Sequence, residues 1–382
     1  MDCTSKAGIY IHIPFCQSKC GYCDFYSVTD LNLRSKFIQA LNREIAIYGQ
    51  QTEFHSEYDT IYLGGGTPSL LTLQEIEQIL VQVRIYFNIQ PDAEITLEAN
   101  PGTLDRDKLQ GLKSLGINRI SIGVQSFIEA ELKFLGRIHT VQQAENMLGL
   151  AKEAGFAEIS IDLIYAMPGQ TLSTWKYSLE RAMAFQPEHL SAYNLIVEAG
   201  TPFASLQQNN SVQFLNPEQE ADYFVQAENI LQRSGYIHYE VSNYASSDQH
   251  LARHNFKYWQ HTPYLAFGPS AHSFWPYRRW QNSRSLTDYL KTLQHNKAPV
   301  DFEEKLTDKQ IVNEYILLAL RTYQGIDLRR FNHTFNCDFR DRYNRPVELL
   351  TGNNLATLDR EHFKLTPRGM LLCDEILPQF AC

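Results

Sequence analysis

What this chain lacks narrows it first. Its 382 residues contain no apolar run long enough to cross a bilayer; the best stretch, YILLALRTY, is broken by Arg321 too soon. The opening MDCTSKAG has neither the basic start nor the apolar core of a secretory signal, so a reducing, cytoplasmic setting is expected. Positive charge is in deficit: 34 Lys and Arg against 43 Asp and Glu leave a net of −9, which argues against a general binder of nucleic acid or anionic lipid. A disulfide framework is also missing. Three of the seven cysteines crowd together while Cys3, Cys337, Cys373 and Cys382 are scattered, so the crowded three read as metal ligands and the others as thiols without a role.

What is present is alternation. Short apolar runs at 8–14, 59–66, 94–100, 119–126, 158–169 and 189–196 are separated by segments whose apolar residues recur at three and four. Gly116 and Gly155 stand where helix C-caps belong. Six strand–helix units predict an α/β fold with a parallel sheet, as a partial (β/α)6 barrel over residues 1–245. The polar stretch 205–220 reads as a surface insertion, followed by a helix from Pro217 to Ser234. An aromatic- and His-rich segment with a linker occupies 246–300. A small helical domain follows over 301–382, its tail resembling the wing and last helix of a winged-helix module. That domain carries 11 Lys and Arg against 13 Asp and Glu, so a protein contact or lid role is expected rather than DNA binding.

Cys16, Cys20 and Cys23 follow the first strand with C-x3-C-x2-C spacing. Thiolates at gaps of four and three converge when the backbone curls, which suits zinc or an iron–sulfur cluster alike. Structural zinc wants four closed ligands, and the nearest spare one, His12, sits in a strand and is expected to point elsewhere. A [4Fe–4S] cluster held by three cysteines keeps one iron open. GGGTPS (Gly64–Ser69) ends the second strand and stops short of a P-loop. Its glycines either make a turn or bring bare backbone and amides to a ligand carboxylate. Glu98, Gln125, Ser126 and Asp162 fall at equivalent levels of successive units, as a polar ring or as partners of helix N-termini.

The combination of C-x3-C-x-Tyr-C, GGGTP, LEANPG, SIGVQS and DLIYAMPGQ resembles the radical S-adenosylmethionine (radical SAM) superfamily. YIHIPFC is similar to its coproporphyrinogen-dehydrogenase-like branch, which includes the HemN and HemW families, and the likeness spans the chain. The resemblance implies that Cys16, Cys20 and Cys23 hold three irons of a [4Fe–4S] cluster while S-adenosylmethionine (SAM) chelates the fourth. It further implies that Tyr10 and the backbone at Tyr22 lie beside cluster and SAM. Gly65, Gly66 and Thr67 would contact the methionine end, with Glu98, Gln125, Arg137 and Asp162 completing the site.

Two activities share such a cluster. Decarboxylases of the HemN type carry a further cysteine two places after the third, where this chain has Phe25, and a longer stretch before the cluster. Residues 250–280 hold four of the 12 histidines and three of the four tryptophans. Flat aromatic walls, imidazoles and the cations Arg253, Lys257, Arg278 and Arg279 suit a haem with its propionates, though aromatic segments also build cores. HNFKYW (His254–Trp259) is similar to the HNxxYW signature of the HemW branch, regarded as haem chaperones. That likeness implies His254 as haem ligand, with Asn255, Tyr258 and Trp259 as neighbours, and His250, His261 and His272 as structural. The expected function is haem delivery to an unidentified acceptor protein, with membrane contact only through that acceptor. A coproporphyrinogen III dehydrogenase and a zinc-stapled interaction protein are the alternatives.

Overall fold

The computed structural model describes residues 6–381. Cys3 and Cys382 therefore lie outside the described residues. The six expected strands are β1 (Ala7–Ile13), β2 (Glu57–Gly65), β3 (Asn88–Ala99), β4 (Arg119–Gln125), β5 (Glu158–Tyr165) and β6 (His189–Asn194). Helices α1 (Arg34–Gly49), α2 (Leu73–Tyr86), α3 (Arg106–Ser114), α4 (Glu129–Phe134), α5 (Val141–Glu153) and α6 (Leu172–Ala184) connect them. Strands such as AGIYIHI are apolar on both faces because a parallel sheet is covered on both. Thr72 with Glu75 and Thr140 with Gln143 form capping boxes that start α2 and α5. Gly116 and Gly155, at φ +94° and +79°, take the left-handed turn that stops α3 and α5.

Two strands end differently from the expected runs. β3 begins at Asn88 because Asn88 and Ile89 pair with Glu57 and Tyr58; the residues up to Asp92 are mostly polar and none is buried, so no apolar run marks them. β5 stops at Tyr165, since Ala166 turns to φ 62°.

β1 to β6 lie side by side in chain order, all parallel. Beyond β6 come the helices α7 (Pro202–Gln208) and α8 (Pro217–Arg233). The hairpin β7 (Ile237–Glu240) and β8 (Asn243–Ala245) then pairs antiparallel with β6. The segment 246–300 contains helix α9 (Arg253–Trp259), strands β9 (Tyr264–Phe267), β10 (His272–Trp275) and β11 (Arg278–Asn282), and helix α10 (Leu286–Gln294). β9 joins the free edge of β1 in parallel; β10, β11 and β12 (Val300–Lys305) extend the sheet antiparallel. The single sheet of 12 strands starts at β12 and finishes at β7, which do not pair with each other, so among the described residues the barrel is incomplete.

The C-terminal unit holds α11 (Asp308–Ala319), α12 (Leu328–Phe335), α13 (Phe339–Arg342) and α14 (Asn344–Gly352). Its small sheet consists of β13 (Ile326–Asp327), β14 (Ala356–Leu358) and β15 (His362–Leu365). The β14–β15 hairpin runs into α15 (Pro367–Leu371), the strand–turn–helix order expected of a wing. Backbone bonds from Val241 to Arg321 (3.0 Å) and from Tyr323 to Tyr239 (2.9 Å) fasten this unit to the β7–β8 hairpin.

A buried carboxylate fixes the added strands to the barrel. Glu44 of α1, wholly buried, accepts from the Gly268 amide (2.8 Å), Asn282 Nδ2 (2.5 Å) and the Tyr289 hydroxyl (2.6 Å). Burial still raises its pKa to about 7 against those three donors. Truncation would strand three buried donors, so Glu44→Ala should cost about 2–5 kcal/mol in denaturant unfolding. A loss below about 1 kcal/mol would show that water replaces the carboxylate there.

Candidate functional site

The inner face of the sheet is built in rows, because side chains two residues apart share a face. The lowest row runs across Tyr264, Gly8, Thr60 and Glu94 in register. Above it Tyr10 pairs with Tyr62, and at the C-terminal ends of the strands come the cysteine loop and the glycines. Lower and upper ends carry different chemistry.

At the upper end the loop after β1 is tied back by Val28, whose amide bonds Pro14 (2.7 Å) and whose carbonyl takes the Cys16 amide (3.0 Å). This brings the three cysteines together, all unpaired and half-buried. The Thr67 hydroxyl donates to Cys16 Sγ and Arg137 Nη1 to Cys20 Sγ, each at 3.6 Å. Asn100 joins the two donors: its Nδ2 donates to Thr67 (3.0 Å), and its Oδ1 accepts from Arg137 Nη2 (2.6 Å). Arg137 also reaches the Gly123 carbonyl, while its Nε is buried without a hydrogen-bond partner. Burial, followed by the neighbouring Cys16 and Cys20, pushes the Cys23 thiol up despite an opposing backbone bond at Phe25. Burial likewise raises Tyr22, beside Arg137, Cys20 and Cys23. Among the described residues no three His, Cys, Asp or Glu side chains are placed to close on a single metal ion. His12 is occupied, as expected of a strand residue: Nε2 donates to the Tyr26 carbonyl (2.9 Å), leaving Nδ1 to accept from Tyr10 (3.1 Å). Burial lowers its pKa to about 4, so the ring is neutral.

The glycines serve the protein's own packing. A Cβ at Gly65 would meet the His12 ring at 2.5 Å, and one at Gly66 the Phe15 carbonyl at 2.7 Å. The Gly65 amide already donates to Glu98 (3.0 Å) and the Gly66 amide to Ile13 (2.8 Å). Both amides, expected to meet a ligand carboxylate, are bonded within the protein in this structure. Glu98 also accepts from Tyr62 (2.8 Å), and burial raises its pKa to about 7, with Asp162 adding to the rise. Asp162, half-buried in β5, accepts from Ser121 (2.9 Å) and Ser191; desolvation raises its pKa too. Gln125 ends β4 at φ 68°, a conformation costly for a side chain of this kind. Ser126 partners a helix N-terminus, donating to Glu131 (2.5 Å) and accepting from the Ile128 amide at the start of α4. Asn100 is the residue that sequence reasoning missed, although it stands inside LEANPG.

The lower end is closed by α9. His254 is wholly buried; its Nδ1 bonds the Thr60 hydroxyl (2.8 Å), its Nε2 the Tyr258 hydroxyl (2.8 Å), and its amide donates to Glu94 (2.9 Å). Its ring stacks on Tyr62 at 5.2 Å between centroids. Burial, then Lys257, lowers its pKa to about 3. Gly8 makes room, since a Cβ there would lie 3.2 Å from the His254 ring. Tyr258 shares this floor, while Trp259 packs with buried Tyr239 and Phe256 and bonds the buried Glu240 of β7; Asn255 is half-buried. The four cations offered for propionates are engaged. Arg253 bonds the Asp59 and Asp92 carbonyls, and Lys257 pairs with Asp59 (2.6 Å). Arg278 pairs with Glu53 and Glu303, and Arg279 with Glu304 and Glu314. With both ring nitrogens bonded and no exposed surface, His254 does not fit an iron in this arrangement of α9.

The family model described as the radical SAM superfamily matches residues 10–182, and that of the HemN C-terminal domain residues 306–372. A curated protein of Lactococcus lactis named "Heme chaperone HemW" is 34% identical, covering 97% of this chain and 96% of its own length. The Synechocystis protein of that name is 35% identical over 96% and 94%. The solved coproporphyrinogen III oxidase HemN of Escherichia coli superposes with a TM-score of 0.85 at 25% identity, covering 98% of this chain and 90% of that one.

Glu98 offers a test of the buried lumen. A carboxyl at about 7 keeps a proton that the unfolded chain releases near 4.5, so its contribution to stability falls as pH rises through that window. Without SAM, Glu98→Gln should gain on the wild type between pH 5 and pH 8 by up to about 3 kcal/mol in denaturant melts. Parallel pH profiles would mean that the carboxyl is ionised throughout.

Proposed function

Because this chain belongs to the HemW family of the radical SAM superfamily, we propose that it is a haem chaperone, binding haem for delivery to an acceptor protein. The single observation that carries this reading is identity of about a third with proteins named haem chaperones over nearly the full length of both chains. Phe25 agrees with it: where decarboxylase motifs place a further cysteine, this chain presents an aromatic ring that is 66% exposed.

The cysteine face fits a [4Fe–4S] cluster. Three half-buried thiols share one loop, two of them already receive hydrogen bonds, and Arg137 Nε is a buried donor without a partner. Cys16, Cys20 and Cys23 would hold the cluster, which when bound supplies an electron and an open iron for SAM. Thr67 and Arg137, locked together by Asn100, hold the sulfurs in place and soften their negative charge. Tyr10, Tyr22, Gln125, Glu98 and Asp162 surround the space left for SAM, and Gly65 and Gly66 set its edge by their close packing. Burial raises both carboxyls, Glu98 to about 7, so Glu98 adds less negative charge to that space than an ordinary carboxylate would.

The likeness to HemN favours a second reading, SAM-dependent decarboxylation of coproporphyrinogen III. Anaerobic incubation with that substrate, SAM and a reductant separates the two: no protoporphyrinogen is expected, and SAM-dependent product would establish the enzyme. After anaerobic reconstitution, Cys16→Ala, Cys20→Ala and Cys23→Ala should each lose the broad iron–sulfur absorbance. A full cluster in all three variants would overturn the ligand assignment, and zinc without iron would favour the stapled interaction protein.

Asn100 tests the support around the cysteines. Asn100→Ala should keep the fold and cluster formation while weakening SAM binding about 10–100-fold, the usual cost of losing an orienting partner. Unchanged SAM affinity, read by equilibrium dialysis, would make Asn100 a structural bridge only.

A further inference from the structure

Resting on the haem-chaperone reading, we propose that haem seats beside α9 rather than on it, in the cavity between β9–β12 and α11, with His272 as the iron ligand. The cavity has a volume of about 670 Å³, within the roughly 300–1,000 Å³ typical of pockets for compact organic ligands. Strand register explains its floor. His272 pairs with Gln281 and Phe274 with Arg279 and Tyr264, while Gln281 and Arg279 pair onward with Phe302 and Glu304. Directly paired residues share a face, so one side of the added sheet presents Tyr264, Phe274 and Phe302 with an imidazole among them. Tyr258 closes the side toward the barrel, and Glu314 and Leu318 of α11 close the other.

Two histidines line the cavity and their surroundings separate them. His261 is buried, stacked on Phe274 at 4.3 Å, and its Nε2 faces the Glu314 carboxylate at 3.3 Å. His272 is exposed to the cavity, and among the described residues no group hydrogen-bonds its ring. Burial and then Arg279 lower its pKa, keeping it in the neutral form that binds iron. The charged groups of the cavity are Arg279, Glu304 and Glu314. Because the two glutamates hold the arginine at 2.7 Å each, the propionates gain little inside. Haem would therefore enter by its apolar edge and leave its carboxylates at the mouth, where an acceptor can reach them.

This placement gives the HNxxYW motif a role without exposing it. His254 holds the Tyr258 hydroxyl at 2.8 Å, and the other edge of Tyr258 packs against Tyr264 at 4.6 Å between centroids. His254 is thus a positioning residue that sets one wall of the haem seat.

The test is titration of the full chain with ferric haemin, following the Soret band and low-temperature electron paramagnetic resonance. His272→Ala should lose the imidazole-ligated signature and bind at least about tenfold more weakly, with added imidazole restoring the spectrum. His254→Ala should keep that signature while its affinity falls. Circular dichroism and cluster content report whether each variant is folded. An unaltered His272→Ala spectrum, or loss of the signature only in His254→Ala, would overturn the site and leave the chaperone reading intact. Failure of the wild type to bind haemin would overturn both.

Discussion

Everything in the barrel interior depends on the pairing of polar groups that water cannot reach. His254 carries the lower end of that pairing. Its ring satisfies Thr60 and Tyr258, its amide satisfies Glu94, and its face supports Tyr62. Tyr62 in turn donates to Glu98, whose second oxygen holds the Gly65 amide at the upper rim. A line of contacts therefore runs from the motif helix α9 to the loop that flanks the cysteines. Its members are buried or half-buried, so removing one leaves a sheltered neighbour unpaired at about 1–3 kcal/mol rather than merely losing a bond.

The two ends divide the labour. The upper end keeps an open set: three thiols, an orphaned guanidinium nitrogen and two carboxyls raised by burial. The lower end is closed, and its histidine is neutral and saturated. On the proposed reading, cluster and haem need not compete for one lumen. The added strands β9–β12 supply a second surface, and Glu44 holds them to the barrel through three donors.

Much of this was legible in sequence where physics writes it locally. Short apolar runs marked the six parallel strands, left-handed glycines marked two helix ends, and the cysteine spacing marked the loop. Pairing between distant segments leaves no such mark. β9 joins β1 although more than two hundred residues separate them, and nothing in YLAF names its partner. Glu44 and Glu94 look like ordinary helix and strand glutamates until their buried partners are known. The aromatic density of 250–280 was visible. Its division into a floor helix, a Trp259 packed against β7 and one face of a sheet depends on tertiary register.

The burial of His254 bears on what its motif is for. Opening α9 to offer this ring to iron would unpair Thr60, Tyr258 and the Glu94 carboxylate together and withdraw the stacking face from Tyr62. A new metal bond would have to offset all of these, and the disturbance would travel to Glu98 beside the proposed SAM space. Keeping the floor shut avoids that conflict and still leaves the motif in contact with the cavity through Tyr258. A haem carrier that also holds a cluster is better served by a histidine that shapes the neighbouring wall than by one that must unlock the barrel at each loading. On this view HNFKYW is the hinge between two sites: it braces the SAM space from below and the haem seat from the side.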